Sequence, residues 1–156
     1  MSYSIRVQNQ ALKYRISEAR VVSVTRKILR ALGWKSAAVN LLLVTDKKIR
    51  RMNKRYLGHD DATDVISFSQ WEGPGPRARL QKGMPLLGDV VLSLESVKRQ
   101  AAEYENSFDY ELFFCICHGI LHLLGRDDKT ARGAAWMERK QKQVLKKTGI
   151  RNLKSQ

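Results

Sequence analysis

The sequence predicts one α+β domain spanning residues 1–156, in which a small mixed β-sheet packs against helices. Short runs rich in apolar and β-branched residues alternate along the chain with longer segments whose apolar residues recur at helical spacing. The length of 156 residues suits a single domain with a substantial core. No internal repeat or shift in composition marks a second domain.

Strands are predicted where a short apolar or β-branched run is bounded by polar or turn-forming residues. Four segments meet this description: 4–8, 39–44, 65–68 and 88–94. Residues 70–86 contain all three prolines and several glycines, so a flexible loop is expected there.

Helices are predicted where apolar residues lie three and four positions apart behind a capping residue. The five segments are 17–32, 46–56, 94–104, 107–124 and 130–148. The second is strongly basic, and Asp46 is expected to cap it. Its residues Ile49, Met52 and Tyr56 are expected to face inward, which leaves the opposite face available to phosphate groups.

The fourth predicted helix carries two of the chain's three histidines, in the stretch HGILHLLGRDD. Residues four apart on a helix share a face, so His118 and His122 can direct both imidazoles at one ion. Gly125 can end the helix in a left-handed conformation, which turns the chain back and brings a carboxylate of Asp127 or Asp128 to the same ion. The spacing predicts a metal site on a central helix, with one coordination position left open.

The two histidines have two alternative interpretations: packing in the core without a metal, and the zinc site of a peptidase. Both histidines can simply pack in a core, but two imidazoles in so apolar a helix are costly unless something binds them. A zinc peptidase is the other alternative, since its HExxHxxGxxH motif has the same spacing. The glutamate that serves as general base in that motif is replaced by Gly119, so a peptidase would need a base from elsewhere.

The stretch HGILHLLGRDD resembles the pattern HGxLHLxGyDH of the YbeY family, bacterial single-strand-specific metallo-endoribonucleases. Residues 53–68, NKRYLGHDDATDVISF, are similar to the upstream block of that family with its TDVLSF core. Residues 87–90, LGDV, resemble its LGD strand start. The three blocks occur in order between residues 53 and 128.

The resemblance implies a metal-dependent endoribonuclease that matures the 3′ end of small-subunit rRNA and takes part in ribosome quality control. The implied partners are single-stranded RNA, rRNA and the small ribosomal subunit, with a ribosomal protein or GTPase as a possible carrier to the substrate. It also implies that the upstream block lies beside the metal, where Asp64 or Ser67 would orient the scissile phosphate or the attacking water. The alternative is that Asp64 or Thr63 closes a turn by bonding a nearby backbone amide.

Two positions depart from the family pattern. The third histidine of the family falls on Asp128, and the arginine that often follows the aromatic residue of the upstream block falls on Leu57. Because carboxylate oxygen and imidazole nitrogen bind zinc at similar distances, Asp128 is expected as the third ligand, with Asp127 in reserve. Zinc is the expected ion, and the oxygen ligand makes manganese or iron more competitive. The two changes leave a catalytically weak RNA-binding or ribosome-binding assembly factor as the main alternative function.

The charge of the chain fits a nucleic-acid partner. There are 29 Lys and Arg residues against 15 Asp and Glu, which gives a formal net charge of +14. Such an excess attracts polyanions and makes RNA affinity fall with ionic strength. The basic residues cluster at 47–55, 77–82 and 139–154. The RNA-binding candidates are Arg50, Arg51, Arg55, Arg77, Arg79 and Lys82.

No stretch reaches the roughly 18 apolar residues of a membrane span, and the N-terminus lacks the apolar core of a signal peptide. A cytoplasmic location without a membrane partner is therefore expected. Cys115 and Cys117 lie two apart on a predicted helix and point to different faces, so packing is their expected role.

Overall fold

Five strands, five α-helices and one π-helical turn make up the part of the chain that this computed structural model describes, residues 2–58, 63–69, 80–81 and 83–153. The strands are β1 (Ser2–Asn9), β2 (Ser36–Val44), β3 (Val65–Ser69), β4 (Leu80–Gln81) and β5 (Met84–Ser93). The helices are α1 (Glu18–Ala31), α2 (Asp46–Met52), α3 (Leu94–Glu103), α4 (Phe108–Leu123) and α5 (Ala131–Thr148). The π-helical turn (Asn53–Leu57) follows α2 directly.

The main sheet has the strand order β1-β2-β5-β3. The first three of these strands are parallel to one another, and β3 runs antiparallel to β5 at the edge. The predicted α+β class, with a mixed sheet packed against helices, is therefore confirmed. The predicted loop at 70–86 is wrong at its C-terminal end, because Leu80 pairs with Pro85 in a short β4–β5 hairpin. Residues 70–79 lie outside the described part of the chain.

The two faces of the sheet are covered unequally. Leu43 of β2 and Val90 of β5 point into the main core, which α1, α4 and α5 complete on one face. Their neighbours Val44 and Val91 point the other way, because successive strand residues alternate between faces. These join Ile49 of α2 in a much smaller cluster on the second face. The second face is thus only partly covered by helix.

Hydroxyl side chains fix where the helices begin. One residue before each α-helix accepts a hydrogen bond from the backbone N–H three positions further on, which satisfies a donor that the helix itself leaves unpaired. These residues are Ser17, Thr45, Ser93, Ser107 and Thr130. The predicted cap Asp46 is wrong by one position, since Thr45 caps α2. None of the described helices is long and apolar enough to cross a membrane.

The predicted basic helix at 46–56 changes character at residue 53. The π-helical turn inserts an extra residue, and it ends at Gly58 in a left-handed conformation with φ of 74°. Wider winding rotates the residues that follow relative to an α-helix. Ile49 and Met52 lie against the sheet as predicted, but Tyr56 is 57% exposed, so its predicted inward position is wrong.

Candidate metal centre

The central helix α4 presents both predicted histidines at its C-terminal end. Ten of its residues are buried, and the side chains of His118 and His122 are partly exposed, at 22% and 27%. Their Nε2 atoms lie 2.9 Å apart. The helix therefore aims two imidazole nitrogens at one point, as its spacing of four residues predicts.

A turn at the end of α4 brings a carboxylate to these nitrogens. Gly125 has φ of 89°, and the N–H groups of Gly125 and Arg126 donate to carbonyl oxygens of the last helical turn. The chain then reverses, and the Asp128 carboxylate lies 3.6 Å from His118 Nε2 and 3.9 Å from His122 Nε2. Asp127 instead accepts a hydrogen bond from the backbone N–H of Lys129.

The donor set suits a divalent cation. One ligand atom from each of His118, His122 and Asp128 lies within 4.8 Å of the others. Ligands at zinc bond lengths around one tetrahedral ion are separated by about 3.3 Å, and the observed separations of 2.9 to 3.9 Å bracket that value. Burial lowers the pKa of His122, and the neighbouring His118 lowers it further against the opposing charge of Asp128. A lowered pKa favours the neutral imidazole that binds metals, so the cluster can hold one ion.

Helix α5 adds a residue that the sequence patterns did not reveal. Gln141 is 2% exposed; its Nε2 donates to the carbonyl oxygen of Phe114 at 3.1 Å, and its Oε1 lies 3.1 Å from His118 Nδ1. Because the amide oxygen can only accept, Nδ1 carries the proton and the lone pair of Nε2 faces the cluster. The sequence signal is a polar residue on the apolar face of a helix, four positions from Met137 and three from Val144.

Helix α4 packs directly on the sheet at the position that follows the first histidine. A Cβ on Gly119 would lie 2.5 Å from Val90 Cγ1 and 3.1 Å from Val65 Cγ2. A zinc peptidase of the HExxH type carries its general base at this position. There is no room for a glutamate between α4 and the sheet, which argues against the peptidase alternative on steric grounds.

The upstream block lies beside the cluster, as the resemblance implies. Thr63, Asp64 and Ser67 line a cavity of about 570 Å³ together with the three metal-ligand candidates, and Asn53 and Leu57 complete its wall. The Ser67 hydroxyl donates to the carbonyl oxygen of Gly119 at 2.9 Å, which ties β3 to α4. Because the hydroxyl hydrogen of Ser67 is used in this bond, its oxygen can only accept a hydrogen bond from a substrate. A phosphate oxygen is also an acceptor, so the predicted contact of Ser67 with a phosphate does not form in this arrangement.

Asp64 lies where two cavities meet. It lines the cavity of about 570 Å³ and a second one of about 710 Å³ that runs along α4, and His118 and Asp128 line both. The Asp64 carboxylate lies 3.7 Å from the Cys115 thiol. Burial, with the nearby charges of Asp64 and Glu111, raises the pKa of Cys115 well above its ordinary value. The thiol therefore stays protonated beside this carboxylate.

The cysteines occupy the core. Cys115 and Cys117 are both free and buried. Burial raises the pKa of Cys117 to about 12, so neither thiol ionises at neutral pH. Their predicted packing role fits this placement.

The predicted RNA-binding residues divide into two groups. Arg50 and Arg51 on α2 and Arg55 in the π-helical turn are exposed, on the side of the sheet that carries the smaller cluster. The other candidates, Arg77, Arg79 and Lys82, lie outside the described residues. The structure therefore places three of the six candidates.

The fold and the cluster define a class of protein, an α+β domain whose central helix carries a His–His–Asp cluster that could hold one metal ion. A family model described as Endoribonuclease YbeY matches residues 6–149. The chain therefore belongs to the YbeY endoribonuclease family, and the family predicted from the sequence is confirmed. Members of this family are named as endoribonucleases, hydrolases that act on RNA phosphodiester bonds.

Curated relatives and a solved structure agree with this assignment. Endoribonuclease YbeY of Moorella thermoacetica is 40% identical over 151 residues, which is 93% of this chain and 97% of the relative. Endoribonuclease YbeY of Desulforamulus reducens is 41% identical over 131 residues, covering 83% and 85% of the two chains. The solution structure of TM1509 from Thermotoga maritima has a TM-score of 0.57 at 25% identity, covering 92% of this chain and 88% of that one.

Proposed function

We propose that this protein is a metal-dependent endoribonuclease that cleaves single-stranded RNA at the centre formed by His118, His122 and Asp128. The observation that carries the proposal is a three-ligand cluster opening into a cavity of about 570 Å³, on a chain of net charge +14. The family of the chain adds direct support, since its relatives are named endoribonucleases. Zinc is the proposed ion, with manganese or iron as alternatives that the Asp128 oxygen favours.

The residues of the centre have separable roles. His118, His122 and Asp128 would hold a divalent cation, which when bound would supply a Lewis acid for a phosphoryl oxygen of the substrate. Gln141 holds the His118 ring with Nε2 directed at the cluster. Asp64 lines the cavity next to His118, and the role proposed for it is to orient the attacking water. Ser67 keeps β3 against α4 through its bond to Gly119.

We further propose that the substrate is the 3′ end of precursor rRNA in the small ribosomal subunit, in the cytoplasm, and that the enzyme also serves ribosome quality control. The resemblance of the three sequence blocks supports this substrate, and the basic charge supports binding to a ribosomal particle. A ribosomal protein or GTPase would deliver the enzyme to its site.

One observation favours a second function, that of an RNA-binding assembly factor with weak catalysis. Leu57 is 48% exposed and lines the metal cavity at the position where the family pattern has an arginine. A leucine offers no charge to a phosphate there. RNA binding without cleavage would then be the main activity, and it would not depend on the metal.

The test is cleavage of a single-stranded RNA that carries the 3′ end of precursor small-subunit rRNA. Native protein is compared with chelator-stripped protein, with stripped protein given zinc or manganese, and with Asp128→Ala. Asp127→Ala is the matched control, because that carboxylate bonds to Lys129 and not to the histidines.

Cutting that is lost with chelator, restored by metal, abolished in Asp128→Ala and retained in Asp127→Ala supports the nuclease and its third ligand. RNA that binds but stays intact with every metal would assign the assembly-factor function instead. The chemical ends of the product separate two nucleophiles: a cyclic phosphate indicates attack by the 2′-hydroxyl, and a 5′-phosphate indicates attack by water.

A further inference from the structure

A second large cavity lies on the face of the sheet that the helices cover only partly. Its volume is about 900 Å³, and its lining is mostly apolar, with Leu42, Met52 and Val91 among the residues that form it. Tyr56 and Phe68 stand in the same cavity, with ring centroids 5.9 Å apart and planes at 83°. Tyr56 is 57% exposed. An exposed aromatic ring beside an apolar surface suits the stacking of a nucleobase.

A smaller, basic cavity of about 350 Å³ adjoins the first and shares Met52 and Tyr56 with it. Lys48, Arg51 and Arg55 line it. Among the residues that the structure describes, no carboxylate forms an ion pair with these three. Three cations without a partner carboxylate form a site for an anion the size of a phosphate group.

The apolar and basic cavities are direct neighbours. The Arg55 guanidinium lies 5.4 Å from the centre of the Tyr56 ring, so a cation and a stacking surface are immediate neighbours. The larger cavity also contains a carboxylate, that of Asp89. It accepts a hydrogen bond of 2.8 Å from Asn40 Nδ2 in the same cavity. One nucleotide is chemically complementary to this pair of cavities, because its flat base fits the apolar cavity and its phosphate fits the basic one.

The pair of cavities and the metal cavity lie on opposite faces of the sheet, next to the edge strand β3. In the π-helical turn, Asn53 lines the metal cavity and Tyr56 lines the apolar one. In β3, Ser67 lines the metal cavity and Phe68 lines the apolar one, because adjacent strand residues face opposite sides. Among the strands that the structure describes, β3 lies at the edge of the sheet, so the metal cavity and the apolar cavity are separated there by a single strand.

We propose that these cavities form a second RNA-binding site, which anchors one nucleotide of the substrate strand away from the cleaved bond. The base stacks on Tyr56, and the adjoining phosphate binds Lys48, Arg51 and Arg55. The site strengthens binding of RNA long enough to reach around β3 and adds nothing for shorter RNA. This inference rests on the proposed function in taking single-stranded RNA as the substrate.

The test compares Tyr56→Ala with native metal-loaded protein on two single-stranded RNAs, one of about 3 and one of about 12 nucleotides around the same cleavage site. For the long RNA, the loss of one stacked base is expected to raise KM about tenfold while kcat is unchanged. For the short RNA, both constants are expected to match the native protein. Tyr56→Phe keeps the ring and is expected to behave like the native protein on both substrates.

A charge-matched pair of variants tests the phosphate contact. Arg51→Ala and Arg26→Ala each remove one exposed cation, and Arg26 lies on α1, away from both cavities. Arg51→Ala is expected to weaken binding of the long RNA and to lower the salt dependence of that binding by about one ion. Arg26→Ala is expected to change neither. Equal effects of the two variants would show that only the total charge matters, which overturns the site.

Binding of the long RNA, measured by fluorescence anisotropy, separates this inference from the proposed nuclease activity. If the native protein cuts no RNA but Tyr56→Ala still weakens binding, the second site stands and the nuclease function fails. If cleavage is normal while Tyr56→Ala leaves long-RNA binding and KM unchanged, the second site fails alone. If Tyr56→Ala raises KM equally for the short and the long RNA, the second site is also overturned, because the nucleotide bound by Tyr56 would then lie at the metal centre. Thermal unfolding of each variant excludes a folding defect.

Discussion

The carboxylate of Asp46 in α2 and the guanidinium of Arg99 in α3 form an ion pair of 2.6 Å. The two helices start side by side because β2 and β5 are parallel and end at the same edge of the sheet. The same carboxylate accepts hydrogen bonds from the hydroxyls of Ser93 and Ser96. In return, the backbone N–H of Asp46 donates to Glu95. Each helix therefore supplies groups that stabilise the first turn of the other.

Asp46→Asn is expected to destabilise the fold in a pH-dependent way. Burial alone would raise the pKa of Asp46, but the hydrogen bonds from Arg99, Ser93 and Ser96, with the charge of Arg99, lower it to about 2 from its ordinary 3.8. A lowered pKa means that the stabilisation is present above about pH 4 and is lost as pH falls towards 2. The loss at pH 7 is expected to be about 1 kcal/mol, since Arg99 is well exposed to solvent.

Urea unfolding of both proteins at pH 7 and at about pH 2.5 measures this difference. The gap between native protein and Asp46→Asn should shrink at the lower pH. Asp109→Asn is the matched control, because its pair with Arg20 is similarly short but about half exposed on both sides. A gap for Asp46→Asn that is the same at both pH values would contradict the assigned pKa shift.

Gly119→Ala is expected to destabilise the protein by about 1–3 kcal/mol, because the added methyl group overlaps Val90 in a packed interface. Val90 is fully buried, so its side chain has no free space to move into. The double variant Gly119→Ala/Val90→Ala removes the overlap and is expected to lose less than the sum of the two single variants. Denaturant unfolding of the native protein, the two single variants and the double variant measures the coupling free energy between positions 119 and 90. Strict additivity would show that the contact is not the cause.

Gln141→Met is expected to lower metal affinity about 10–100-fold with little change in fold stability. Methionine fills a similar volume but offers no oxygen to His118 Nδ1, so the ring loses its fixed orientation. Competition with a chromophoric chelator measures the affinity, and nitrogen NMR of the metal-free protein reports which ring nitrogen of His118 carries the proton. Gln143→Met, on the exposed face of the same helix, is the control. Unchanged affinity and tautomer in Gln141→Met would remove the orienting role.

Leu57→Arg is expected to raise kcat/KM for RNA cleavage about tenfold. The side chain at 57 lines the metal cavity, so an arginine there can pair with the phosphate at the centre, a charge-assisted bond worth about 1.5–3 kcal/mol. Leu12→Arg adds the same charge at a position that is 82% exposed and away from the cavity. Cleavage kinetics of both variants separate a local effect from a general one, and an equal gain in both would argue for the general one.

The metal cluster was predictable because its geometry is local. Two histidines one helical turn apart, followed by a glycine that reverses the chain, predicted a carboxylate from Asp127 or Asp128 at this point, and the resemblance to the family pattern selected Asp128. The contact between Gln141 and His118 was not predictable in that way, since it joins residues 23 positions apart and depends on how α5 packs against α4. The position of Tyr56 was mispredicted for another reason. An α-helical period assumes constant winding, and no residue in NKRYL signals the wider turn.

The π-helical turn at Asn53–Leu57 limits which changes in chain length this part of the protein can accept. It sends Asn53 towards the metal cavity and Tyr56 towards the other face of the sheet within a few residues. Removing one residue would turn the side chains that follow it within the helical turn by about 100° around the helix axis, while β3 stays fixed by its pairing with β5. Tyr56 would then no longer face the apolar cavity, although it had not been substituted. Deletions here should therefore be far more damaging than most point substitutions, and a viable relative with a shorter segment would need to rebuild both surfaces together.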